Sequence, residues 1–193
     1  MAKVGISKPY FAVYSESSGT VSYSSGKLLG KAVQVDLALD AASDNVLYAD
    51  NAPAESDTQF AGGTLTVTTD DLIAGDMVTY LGVDSEAIGS SSTDKWYVFN
   101  DEQVVPYCGF GGIIKKIKNG VTYYVAFALA KIQFNNPALA VTTQGQTIDW
   151  QTTELTAKIL RSDDSTHEWY RISSDLTTEA AAEAAVKAYL DIT

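Results

Sequence analysis

The residues able to carry chemistry in this chain are few and scattered. His167 is the one histidine, set in DSTHE at 164–168. A Ser-His-Asp hydrolase would have to use it as general base, and no G-x-S-x-G accompanies it. A metal site would need a second histidine or a cysteine near it, and the sequence offers neither there. It reads as a solvated turn histidine. Asp40, Asp44, Asp50, Glu55 and Asp57 spread along one segment. Clustered carboxylates can hold calcium, but this spacing is not D-x-D-x-D-G. A solvated or subunit-facing acidic loop is the expectation. GFGG at 109–112 lacks the third glycine of a dinucleotide fingerprint and precedes strand-like residues. Its glycines are expected to permit a bulge or a close backbone approach within a sheet. Trp96, Trp150 and Trp169 have rings that could stack on sugars or bases. Packing in a core or interface is preferred, because strand alternation already accounts for Trp150. Cys108 is the only cysteine, so no intramolecular disulfide can form, and it is expected to be a buried small residue. No catalytic, metal or cofactor site is expected, and the chain is not read as an enzyme.

The elements that would position these residues are mostly strands. Residues 31–39 (KAVQVDLAL) and 63–69 (GTLTVTT) alternate apolar and polar. Residues 107–118 and 121–134 flank Asn119-Gly120, the strongest short hairpin signal. Residues 147–160 alternate through Ile148, Trp150, Leu155 and Ile159, and 169–172 is a last short strand. Residues 82–95 form a serine-rich loop. Two helices are expected. One, at 70–81, puts Ile73, Met77, Tyr80 and Leu81 on one face, with acidic residues in its first turn. The other, at 178–190, carries Ala182, Ala185, Val186, Tyr189 and Leu190 as its apolar stripe. Glu179, Glu183 and Lys187 mark its wet face. An alanine-rich stripe predicts close packing on the chain's own sheet.

With 193 residues the chain is long enough for one domain with a sizeable core. The formal charge is −11. Such a surface repels nucleic-acid phosphate and anionic membranes, which argues against tight DNA binding. The start, MAKVGISKPYF, lacks an apolar signal region, and no run approaches the roughly 18 apolar residues of a membrane helix. A host-cytoplasmic location is expected while the protein is made, with no membrane partner. Residues 1–29 read as an extended arm, too poor in apolar residues for a core of its own, that lies on its own domain or on a neighbour. Residues 30–193 read as a single domain.

Between the strands at 31–39 and 63–69 runs a polar stretch of about twenty residues without regular periodicity, a length usually functional or disordered. It carries Leu47, Tyr48 and Phe60 as apolar anchors, which suits docking onto another subunit. The same stretch carries a family resemblance. GKAVQV at 30–35, LYADN at 47–51, AESDT at 54–58, GGTLTV at 62–67 and DDL at 70–72 are similar to the major tail proteins of long, non-contractile-tailed phages. PYCGFGG at 106–112, KNGVTYYVAF at 118–127 and FNNPALAVTTQGQTIDWQT at 134–152 resemble the same family. Each motif is short, and it is their order along most of the chain that carries the resemblance.

The resemblance implies a mainly β fold with flanking α-helices, a β-sandwich or barrel of the phage tail-tube type, with an extended N-terminal arm and a long inter-strand loop. It implies a structural virion protein of the tail. Stacked rings, typically hexameric, would form a hollow tube that passes DNA during ejection. The partners implied are further copies of the chain, tape measure, tail terminator and baseplate or distal tail proteins, and DNA in transient, non-specific passage. Leu47, Tyr48, Asp50, Asn51, Glu55, Asp57 and Phe60 of the loop, with Tyr10 and Tyr14 of the arm, are the expected inter-subunit contacts. The alternative from composition is a β-sandwich adhesion or carbohydrate-binding module, which would use exposed aromatics and remain a monomer.

Overall fold

Asn119 and Gly120 turn the chain with φ of 51° and 78°, the left-handed pair that a two-residue hairpin requires. The strands on either side are the longest antiparallel ladder of the molecule. A computed structural model describes residues 2–40, 45–49, 52–57, 60–72, 74–90, 93–139, 141–143 and 151–193. Its strands are β1 (Ala2–Ser17), β2 (Thr20–Leu28), β3 (Ala32–Leu39), β4 (Asn45–Ala49), β5 (Ala52–Asp57), β6 (Gly63–Thr69), β7 (Asp84–Ala87), β8 (Lys95–Val98), β9 (Tyr107–Lys118), β10 (Val121–Phe134), β11 (Thr153–Leu160) and β12 (Tyr170–Ile172). The helices are α1 (Ala74–Tyr80) and α2 (Glu179–Tyr189). The fold is mainly β and antiparallel, with two helices.

The main sheet runs β2-β1-β9-β10-β11-β6-β3, with β12 paired to β10 beside β11. It wraps around one core. Phe11 from β1, Leu65 and Val67 from β6, Phe110 from β9, Ile132 and Phe134 from β10 and Leu155 and Ile159 from β11 pack together, all buried. Burying each such side chain stabilises the fold by about 1.5–3 kcal/mol.

Two register shifts keep the alternation aimed at this core. In β1 the shift between Ser7 and Tyr10, with Lys8 at φ 52°, changes the parity, so Ile6 before it and Phe11 after it face the same way. In β10 the shift between Leu129 and Ile132 does the same for Phe127 and Leu129 before it and Ile132 and Phe134 after it.

The opposite face of β1, β9 and β10 is covered by α2. Tyr10, Ala12, Ile113 and Ala126 meet Ala182, Val186 and Leu190 there. The GFGG glycines explain the close fit. A Cβ on Gly111 would sit 2.8 Å from Val186 Cγ1, and one on Gly109 would sit 2.7 Å from Leu190 Cδ2. The expected close approach is therefore that of a helix to the sheet. Thr178 caps α2, its Oγ1 accepting from the Ala181 N–H at 3.2 Å. Cys108 is fully buried on the core face of β9, and burial pushes its thiol up to about 12.

Of the two placements expected for the N-terminal arm, its own domain is the one seen: β1 is an interior strand between β2 and β9, because Phe11, Tyr10 and Ala12 feed two buried clusters at once. Four expectations are corrected. The polar stretch after β3 contains the hairpin β4–β5, in which Asn45 faces Asp57 and Ala49 faces Ala52. The serine-rich stretch similarly contains β7–β8, with Asp84 opposite Val98. α1 begins at Ala74 rather than residue 70. Asp70 Oδ1 accepts from the Lys31 and Asp71 N–H groups, and Asp71 Oδ1 from that of Leu72, which ties these residues into a turn. Ala185 is exposed rather than packed, and Glu179, Glu183 and Lys187 form a half-buried flank rather than a wet face. Ser7 donates to Glu179 and Tyr10 to Glu183, which rolls the helix toward β1 and carries Ala185 out.

Candidate inter-subunit surfaces

A strand edge is a row of unpaired N–H and C=O groups, and burial or pairing of these rows decides where a β protein can associate. Among the described residues, β2 pairs only with β1, and β3 only with β6. Each therefore ends the sheet without a hydrogen-bonded partner on its outer side, that of β3 facing the N-terminal part of β1. Ala2–Ser7, the N-terminal half of β1, pairs with β9 but has no strand on its other side, since β2 joins only at Tyr10. This half-strand and β3 border a groove of about 570 Å3 lined by Ile6, Val33, Val35, Leu37, Ile114 and Phe127, with Lys3 and Asp36.

β3 does not bury its apolar residues as its partners do. Its register puts Val35 opposite Val67 and Leu37 opposite Leu65. The β6 residues are fully buried, whereas Leu37, Leu39 and Val33 are exposed, Val33 by 54%. The alternation is correct for a half-buried strand, but no layer among the described residues buries Val33, Leu37 and Leu39.

The sequence-expected contact residues are placed as follows. Leu47 and Tyr48 lie on β4, and Glu55 and Asp57 on β5. Asp50 and Asn51, between these strands, fall outside the described residues, as do Asp44, Ile73 and Trp150. Phe60 is not an outward anchor. Its ring stacks on Trp169 at 4.5 Å and 3°, and Trp169 stacks in turn on Tyr170 at 5.4 Å. Trp169 is thus spent on packing. Tyr10 and Tyr14 are each 8% exposed and face their own chain. The Tyr10 hydroxyl donates to Glu183 Oε1 at 2.6 Å. That of Tyr14 donates to Asp163 Oδ2 at 3.3 Å.

The covered side has settled electrostatics. Lys8 bonds to Glu183, and Lys187 lies 3.4 Å from it. The bonds from Lys8 and Tyr10 hold the Glu183 carboxyl down to about 2. Burial, then the bond to Glu183, pushes the Tyr10 phenol up to about 12. Lys131 is buried under the rings of Tyr107, at 4.2 Å, and Tyr14, at 5.1 Å. It pairs with Asp163, whose carboxyl it holds below the usual range. Arg171 grips Glu168 with two bonds of 2.7 and 2.6 Å and lies over the Tyr189 ring. His167 stands exposed in its turn, its backbone N–H donating to Asp164.

Sequence reasoning missed β7–β8, which holds Trp96, 63% exposed. KWYV at 95–98 is β-prone, and that was the available signal. It also missed Lys131–Asp163, whose partners lie on different elements and carry no local spacing. No described helix is long and apolar enough to cross a membrane. Compared with family models and with curated proteins, the chain matches none.

Proposed function

We propose that this chain is a major tail protein of a long, non-contractile-tailed phage. It polymerises as stacked rings, hexameric by resemblance, into the tail tube that conducts DNA during ejection. The ordered motifs named above support the reading, and the observation that carries it is the unfinished edge at β3. A free strand with Val33, Leu37 and Leu39 exposed is a hazard in a chain that remains alone. Among the described residues neither β2 nor β3 has a strand paired on its outer side, so one copy would pair head to tail with the next. Such heterologous contacts generate a ring when the rotation closes. Strand pairing would cover the edge and the apolar residues together.

In this reading the chain is structural and has no catalytic role or cofactor. Its partners are itself, then tape measure, terminator and distal tail proteins, in the host cytoplasm during assembly and afterwards in the virion tail. The charge of −11 suits a lumen along which DNA slides, since carboxylates form no lasting contact with phosphate. The test is negative-stain microscopy and sedimentation of the purified protein over a wide concentration range. Rings or tubes are expected. A clean monomer at every concentration would overturn the reading.

One observation favours the alternative, a carbohydrate-binding or adhesion module. Trp96 presents most of its ring to solvent on β8, as a sugar-stacking residue would. That module would be monomeric and would lose glycan binding on Trp96→Ala.

A further inference from the structure

The chain's cations are not spread evenly. Between residues 103 and 148 there is no carboxylate, and the same stretch holds Lys115, Lys116, Lys118 and Lys131. Three of these lie at the β9–β10 turn. The ladder between β1 and β9 brings Lys3 to the same place, directly opposite Lys116, with Gly5 opposite Lys115. Like charges facing each other across strands destabilise a sheet. Asp175 lies 3.7 Å from Lys116 and offsets part of this. Lys3, Lys115 and Lys118 have no ion-pair partner among the described residues. They are exposed, and so are Val4, Ile117 and Val121 between them.

At the other end of the β9–β10 ladder the balance reverses. Between residues 70 and 102 the chain has eight carboxylates and one cation, Lys95. Asp70 and Asp76 are taken by Lys31 and Lys27. Asp84, Glu86, Asp101 and Glu102 are exposed, on β7 and on the loop that leads into β9. Tyr80 of α1 packs on Phe134, the last residue of β10, which fixes this region at that end. The 12 residues of β9 separate the two ends by about 36 Å.

We propose that the basic end, Lys3, Lys115 and Lys118 with Val4, Ile117 and Val121, docks onto the acidic end of a second copy. The partner surface is built around Asp84, Glu86, Asp101 and Glu102. The occupant follows from charge complementarity within a net-negative molecule: the matching surface is on the chain itself, at the other end of the β9–β10 ladder. A contact between different ends of identical copies does not close on itself and propagates as a stack. It rests on the tube reading, for which it supplies the contact from ring to ring. Oppositely charged surfaces also steer the approach and make it salt-sensitive.

The test uses two full-length variants. Lys115→Glu with Lys118→Glu gives a molecule acidic at both ends. Glu86→Lys with Asp101→Lys, which leaves Asp84 and Glu102, gives one whose acidic end is neutralised and whose basic end is intact. All four side chains are exposed, and circular dichroism with thermal melting checks that each variant folds. Sedimentation and microscopy then read assembly. Each variant alone should stack at least tenfold more weakly than the parent, and an equimolar mixture should restore stacking. Stacking of either variant alone at the parental level overturns the proposal, as does failure of the mixture. If the parent forms tubes and the variants form them equally well, the contact fails while the tube reading stands. If the parent never associates, both fail. Anisotropy with a duplex DNA oligonucleotide covers the other anion. Loss of DNA binding in the lysine variant, with stacking unchanged, would make this end a phosphate contact and overturn the proposal.

Discussion

The two sides of this molecule are built to different degrees of completion. Where α2 lies on β1, β9 and β10, Tyr10, Ile113, Val186 and Leu190 are buried with further apolar residues partly buried around them, and the charged flank of the helix is bonded to β1. At β3 the same kind of alternation leaves Val33, Leu37 and Leu39 exposed beside a free edge. A chain able to finish one face so closely has the means to finish the other. The contrast teaches that the α2 side is a part of the fold, whereas under the proposed function the β3 side is where a further copy would pack.

The comparison breaks first if the α2 side proves dispensable. Val186→Asp buries an unpaired carboxylate against Gly111 and should cost several kcal/mol, on the order of 3–5. A melting temperature near the parental value would refute the placement of the helix. On the other side, Leu37→Lys with Leu39→Lys should change stability by less than about 1 kcal/mol, since both positions are exposed. The same pair should abolish higher oligomers in size-exclusion chromatography. Full assembly by this variant would remove β3 from the interface.

A finer distinction comes from acid. The Glu183 carboxyl titrates at about 2 in the folded chain, below the usual carboxylate value of about 4.3. Its contribution is present above the unfolded value and is lost as pH falls through the folded one. Urea unfolding between pH 5 and 2 should show stability falling with pH, and Glu183→Gln should flatten part of that slope. An identical slope in the variant would mean that the bonds from Lys8 and Tyr10 contribute nothing. The smallest effect belongs to Ala185→Asp. The position is exposed, so the change should stay within about 0.5 kcal/mol, which thermal melting can check.

What was legible in the sequence follows the range of the forces involved. Asn119-Gly120 dictates its own turn, and β9 and β10 begin and end where the pattern places them. β6 and α2 are likewise local: one alternates strictly, the other has a Thr cap and a helical stripe. Ala185 failed because the roll of a helix is set by partners far along the chain, here Ser7 and Tyr10. Tyr10 and Tyr14 were expected at an interface because the arm reads as poor in apolar residues. Placed between two clusters, it needs no core of its own. The β4–β5 hairpin hid behind Pro53 and many carboxylates, residues that sheets admit chiefly at edges. The open edges at β2 and β3 were not legible at all, because strand order is a long-range property.

Cys108 has a consequence for anyone who handles this molecule. The chain has one sulfhydryl, shut inside β9 with its ionisation pushed up to about 12. A thiolate is the species that reacts with maleimides and disulfides, so the folded protein is a blank background for such reagents. A cysteine introduced on the surface becomes the sole labelling position, without first deleting the native one. A donor dye at Lys118 and an acceptor at Glu86, on separately labelled batches, would report proximity between copies as energy transfer. Release of the silent thiol, followed with a chromogenic disulfide, would in turn time how often the core around β9 opens.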